Sequence, residues 1–163
     1  MLSRLLYSSV VGVAYLLLFN RDTAPGWLDG SFASQSAAAK MLGTLLTAAG
    51  LGFCVWARIH LGRNWSGSVR IRQDHELIRS GPYARIRHPI YSGLLLATMG
   101  TVLVVGRFRG IVALVIAGLG FAYKAMGEER LLAREFGPAF DDHRRRTGFF
   151  LPRILSKDAP SVP

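Results

Sequence analysis

Four stretches of this chain are too apolar to face water and too poor in charge to be amphipathic helices of a soluble protein. They run from Leu5 to Phe19, from about Ala37 to Ile59, from Ile90 to Val105 and from Ile111 to Tyr123. Within all four, Lys40 and Arg58 are the only charges, whereas a soluble helix would carry a polar face along its length. A helix needs roughly 20 residues to cross the hydrocarbon core, with about 17 as the lower limit. The first, third and fourth stretches therefore borrow from their flanks: Leu2 and Ser3 extend the first, and the fourth continues past Lys124 as a helix emerging into water. The expected fold is an all-α integral membrane protein, a bundle of about four transmembrane helices. Gly12, Gly43, Gly50, Gly52, Gly93, Gly100, Gly118 and Gly120 fall inside the stretches, where small residues let neighbouring helices approach closely in lipid.

Composition agrees. The 163 residues make one domain, half hydrophobic and only 18% charged, which excludes disorder, a collagen-like repeat and a coiled coil. A net charge of +10 invites a nucleic-acid reading, but no recognisable module accompanies it, so no nucleic-acid partner is expected. Cys54 stands alone, excluding an internal disulfide and multi-cysteine metal sites. Four scattered histidines make a metal site an unexpected outcome. Arg4 before an apolar run also suits a cleaved signal peptide. Three further spans, and the lack of a small-x-small site right after Phe19, favour a retained helix.

Loop charges set the expected orientation. Arg21, Asp22 and Asp29 leave the first connection at −1, while the stretch from Arg58 to Arg87 holds seven arginines against Asp74 and Glu76, a net of +5. The segment from Lys124 onward carries eight basic and six acidic residues. Basic loops stay in the cytoplasm, so both termini and the central loop are expected there. Arg107 and Arg109, in the tight turn between the third and fourth spans, oppose this. That turn of about five residues makes the last two spans an antiparallel hairpin.

Polar residues gather in two pieces, His60 to Pro89 and Lys124 to Pro152, both touching the inner ends of the hairpin. The first contains the turn signal Ser80-Gly81-Pro82-Tyr83 and then Arg87-His88-Pro89-Ile90-Tyr91-Ser92-Gly93. Pro89 suits the first turn of a helix, where its missing N–H costs nothing. Opposite it, Lys124-Ala125-Met126-Gly127-Glu128-Glu129 places Lys124 and Glu128 on one helix face. Singly, Arg87 and Lys124 suit snorkelling anchors, and Tyr83 and Tyr91 interface aromatics. Together, a histidine, a lysine, two glutamates and two tyrosines converge at one mouth, and ionisable groups beside apolar helices are costly enough to point to a site.

These residues resemble a family. His75-Glu76-Leu77-Ile78, Gly81-Pro82-Tyr83 and Arg87-His88-Pro89-Ile90-Tyr91-Ser92-Gly93 look like the signature of the isoprenylcysteine carboxyl methyltransferases, shared more loosely with membrane phospholipid methyltransferases. Glu128-Glu129-Arg130, Phe136-Gly137, Phe140, Arg144-Arg145-Arg146 and Leu151-Pro152 continue it, so that the resemblance covers about Leu61 to Pro152. It implies methyl transfer from S-adenosyl-L-methionine, with S-adenosyl-L-homocysteine as product, to a lipidic or small hydrophobic acceptor at the cytoplasmic membrane face. Carried over by motif, cofactor contacts fall on His75, Glu76, Leu77, Ile78, Tyr83, His88, Pro89, Ile90, Tyr91 and Glu128, with Lys124 and Glu128 as the catalytic pair. The family's substrate-side arginine falls on Lys124, which keeps the charge but loses the planar fork suited to a carboxylate. The eukaryotic enzymes of the family have more spans, so the acceptor stays open among prenylcysteine carboxylates, phospholipid amines and other small hydrophobic acids, amines or thiols. The implied organisation is a single domain: two N-terminal spans over 1–59, a methyltransferase core over 60–152 with its hairpin at 89–126, and a loose tail over 153–163.

Chemically the roles cohere. Glu128 suits the cofactor's ammonium. His88, Tyr91 and the N–H groups opening the third span suit its carboxylate, and Leu77, Ile78 and Ile90 suit its adenine. Two other readings share some features. A sterol-type membrane reductase would use Arg144 to Arg146 for the 2′-phosphate of NADPH, and a non-enzymatic protein would grip anionic lipids through the same arginines.

Overall fold

The computed structural model describes residues 2–32, 36–62 and 77–153. His75 and Glu76 lie outside the described residues. Among those described there are five α-helices and no strand: α1 Leu2–Phe19, α2 Ala37–Leu61, α3 Pro89–Val105, α4 Phe108–Phe136 and α5 Pro138–Arg146.

Local chemistry sets the ends. Asn20 closes α1 and accepts from the Asp22 N–H at 2.9 Å, opening a short 3-10 turn. Ser36 caps α2 by accepting from the Ala39 N–H at 3.2 Å. Gly106 ends α3 in the left-handed region at φ 64°, where glycine pays no Cβ penalty. Gly137, at φ 48°, breaks α4 from α5, and Pro138 opens α5.

At 25 residues α2 rises about 37 Å. It and α4 are long and apolar enough to cross a membrane, while the apolar part of α1 (Tyr7–Phe19) and α3 are shorter. Two of the four expected crossings thus meet the length requirement by themselves. The third–fourth connection is tighter than expected, only Gly106 and Arg107, because Phe108, Arg109 and Gly110 are already helical.

The closest seam runs between α2 and α3. Gly43, Thr47, Gly50 and Cys54, one helical face of α2, meet Gly93, Ala97 and Gly100 of α3. A Cβ on Gly50 would lie 2.4 Å from the Ala97 amide nitrogen, and one on Gly100 2.4 Å from the Gly43 carbonyl. Thr47 Oγ1 lies 3.2 Å from the Ala97 carbonyl, and Cys54 Sγ donates to the Ile90 carbonyl at 3.3 Å. On the other side α1 packs on α4 through Ala14, Ala117 and Phe121 near one end and Leu18 and Ala113 near the other.

Hydrogen bonds tie the α3–α4 turn to the α1–α2 connection: Phe32 N–H to the Gly106 carbonyl (3.1 Å) and Phe108 N–H to that of Gly30 (3.0 Å). Asp29 sits between Arg21 Nε and Arg109 Nε, each at 3.1 Å, with Arg107 at 3.8 Å. The two arginines that oppose the loop-charge pattern thus have their charge met by one carboxylate.

Candidate active site

The opposite end of the bundle holds the polar cluster. Pro89 starts α3 and leaves His88 as the flanking residue, so the imidazole stands at the helix entrance. There it faces α4, whose continuous run past Tyr123 carries Lys124, Glu128 and Glu129. Tyr91, one turn into α3, points the same way.

Tyr91 OH donates to Glu128 Oε1 at 2.8 Å, Lys124 Nζ stands 3.9 Å from the same oxygen, and His88 Nδ1 is 3.7 Å from Oε2. Glu129 is held separately, by Arg87 Nε at 2.6 Å and His88 Nε2 at 3.1 Å. Its side chain is 15% exposed against 27% for Glu128. Glu128 is therefore the more reachable carboxylate and Glu129 the anchored one. Lys124 also lies over two rings, 4.7 Å from the centroid of Tyr7 and 5.5 Å from that of Tyr91.

A backbone zipper closes one wall. Arg87 N–H donates to the Gly148 carbonyl (2.9 Å), His88 N–H to that of Phe149 (3.2 Å) and Gly148 N–H to that of Arg85 (3.0 Å). Ser92 Oγ adds a bond to the Phe150 carbonyl at 2.6 Å. The zipper sets Phe149 edge-on to His88 with centroids 5.0 Å apart, while Tyr91 stacks on Phe121 at 5.2 Å. Arg87 spans the arrangement, also donating to the Thr147 carbonyl at 2.5 Å.

The structure brings together His88, Tyr91, Lys124 and Glu128. Tyr83 is buried in the 3-10 turn Gly81–Ala84. Burial pushes its phenol up, the Glu128 charge adds to that, and Arg58 opposes it. Leu77 and Ile78 are half-buried in the segment entering that turn. Pro89 is fully buried, so its ring serves packing. The Ile90 carbonyl lies on the α2 seam, where it accepts from Cys54.

Sequence reasoning missed several participants. Arg87 is no mere snorkelling anchor but a partner of Glu129. Tyr7, Phe149 and Phe150 carried no local signal, because their contacts join remote parts of the chain. In α5, burial pushes the His143 imidazole down, helped by the positive charges of Arg79 and Arg87.

Helices with lipid-length apolar runs, joined by a polar cluster at one end, define an intramembrane all-α protein with a charged cluster at the helix mouth. The family model of the isoprenylcysteine carboxyl methyltransferase (ICMT) family matches residues 41–134. The chain belongs to that family. The match takes in α2, which the sequence signature left out, and stops before α5.

A nickel-cobalt-cadmium resistance protein of Alcaligenes xylosoxydans xylosoxydans is 37% identical over 99 residues, covering 58% of this chain and 45% of its own. A protein-S-isoprenylcysteine O-methyltransferase B of Arabidopsis thaliana is 31% identical over 101 residues, 60% of this chain and 51% of its own. The solved structure of a eukaryotic intramembrane Ras methyltransferase, ICMT, superposes with a TM-score of 0.68 at 22% identity, covering 91% of this chain and 52% of that one. The chain thus spans about half the length of the curated relatives it matches.

Proposed function

We propose that this protein transfers a methyl group from S-adenosyl-L-methionine to the carboxylate of a lipidic or small hydrophobic acceptor, of the prenylcysteine kind, at the cytoplasmic membrane face. The observation that carries this reading is the meeting of Glu128, Lys124, Tyr91 and His88 within 4 Å at the mouth of apolar helices.

The residues present fit the cofactor: a reachable carboxylate for its ammonium, tyrosine and histidine beside it, and half-buried Leu77 and Ile78 for an apolar ring. Bound S-adenosyl-L-methionine supplies an electrophilic methyl group on a sulfonium. Glu128 would pair with the ammonium, and His88 and Tyr91, which both contact Glu128, would hold that glutamate in place. With the Glu128 charge met by that ammonium, the Lys124 ammonium would be left to receive an anionic acceptor. A carboxylate needs no base, since the O–CH3 bond forms as the S–CH3 bond breaks and no proton moves. An amine acceptor would instead build positive charge beside Lys124. Phe149, Phe150 and Phe121 keep water from the reacting atoms. By the family motif His75, Glu76 and Ile90 are also proposed cofactor contacts, with Pro89 contributing through the helix start it sets.

In the same reading four helices cross the inner membrane, with both termini and the site in the cytoplasm. The arginine count of the central loop supports this, and the pairing of Arg107 and Arg109 with Asp29 removes the main objection. The NADPH reading is weaker, because Arg144 and Arg146 already pair with Asp141 and Asp142 at 3.2 Å along α5.

The test is incubation of the purified protein with methyl-labelled S-adenosyl-L-methionine, a total membrane-lipid extract and a farnesylated N-acetylcysteine. Label in a base-labile methyl ester is the expected result. Label only in base-stable product would overturn the carboxylate acceptor, and no label with saturable NADPH binding would overturn methyl transfer.

A further inference from the structure

Tyr7 lies on α1, outside the residues 41–134 that match the family, yet its ring stands 4.7 Å from Lys124 Nζ, nearer than the Tyr91 ring at 5.5 Å. Both are within the reach of a cation–π contact, about 6 Å. The position of Tyr7 is set by packing. Its ring tilts at 47° against Phe121 with centroids 6.3 Å apart. One turn before Lys124, a Cβ on Gly120 would meet Val10 and Val11 at 3.2 and 3.4 Å. That close approach fixes the register of α1 against α4.

We propose that Tyr7 is a positioning residue: with Tyr91 it brackets the Lys124 ammonium and holds it toward the acceptor, making α1 part of acceptor recognition. The acceptor role rests on the methyl-transfer reading above; the grip on Lys124 does not. A lysine lacks the planar fork of an arginine and has a flexible stem, so two rings supply the orientation that the fork would otherwise give. While Glu128 is engaged by the cofactor, the rings are what remains to hold the ammonium.

Two readouts separate the parts. The chain has three lysines, Lys40, Lys124 and Lys157. Reductive dimethylation with 13C-formaldehyde keeps their charge and gives each a resolvable methyl signal, with Lys124→Arg assigning one. The Lys124 signal is expected upfield of that of exposed Lys40 in the wild type and in Tyr7→Phe, and to move downfield in Tyr7→Leu. In parallel, Tyr7→Leu is expected to raise the KM for farnesylated N-acetylcysteine by about threefold to thirtyfold. S-adenosyl-L-homocysteine affinity should stay unchanged, and Tyr7→Phe should behave as the wild type.

A Lys124 signal that ignores Tyr7→Leu would overturn the bracket. An intact signature with an unmoved acceptor KM, or with acceptor and cofactor binding weakened alike, would overturn the acceptor role. A wild type that transfers no methyl while keeping the signature would overturn the methyl-transfer reading and the acceptor role with it, leaving the grip on Lys124 standing.

Discussion

Arg87 and Glu129 show how a membrane-edge site is held in shape. Both side chains are largely buried, 12% and 15% exposed, and meet at 2.6 Å. Removing one partner of such a pair leaves the other charge stranded, which costs more than the intact pair contributes. Arg87→Met is expected to destabilise the protein by about 2–4 kcal/mol, read as thermal unfolding in detergent. The double variant Arg87→Met, Glu129→Gln should recover part of that. A single variant as stable as the wild type would show that the pair is incidental. Arg87 stood in plain sight beside His88, but its partner lies 42 positions away, and nothing in local spacing links them. The meeting of Tyr91 and Glu128 was legible, since a helix start at Pro89 and the four-residue step from Lys124 to Glu128 both follow local rules, and the family resemblance joined them.

Among the elements, the apolar runs of α1 to α4 could be read from the lack of charge alone. The short α5 could not, because Phe140 is its only large apolar residue and nine residues give no periodic pattern. Equally hidden was the zipper of 85–88 with 148–149, which depends on non-local backbone pairing. The α2–α3 seam was partly visible as glycines, but which of them face a neighbour was not. Gly50 and Gly52 separate the two cases. A Cβ on Gly50 would strike backbone of α3, whereas one on Gly52 meets nothing within 4 Å. Gly50→Ala is therefore expected to cost about 1–3 kcal/mol through forced separation of the helices. Gly52→Ala should stay within about 0.5 kcal/mol of the wild type. Thermal unfolding of both in the same detergent checks this, and equal effects would contradict the seam.

At the scale of the whole molecule, the two ends of the bundle do different work. One end is bound together by Asp29 and its arginines and by main-chain bonds between two connections. The other gathers the carboxylates, the lysine and the aromatic wall. Between them α2 and α4 present exposed apolar faces, among them Leu45, Leu51 and Val55 on one and Ile111, Val115 and Leu119 on the other, as helices facing lipid would. The division of charge between basic and acidic connections was readable in the sequence; the bolting of the far end was not, because it needs two connections remote in sequence to meet. The central claim is that the cluster around Glu128 holds the methyl donor, and the most direct measurement is calorimetric titration with S-adenosyl-L-homocysteine. The wild type is expected to bind saturably. Glu128→Gln, with unchanged thermal unfolding, is expected to bind roughly tenfold to a hundredfold more weakly through loss of one charged hydrogen bond. Equal binding by both proteins, or saturable binding of NADPH in its place, would contradict it.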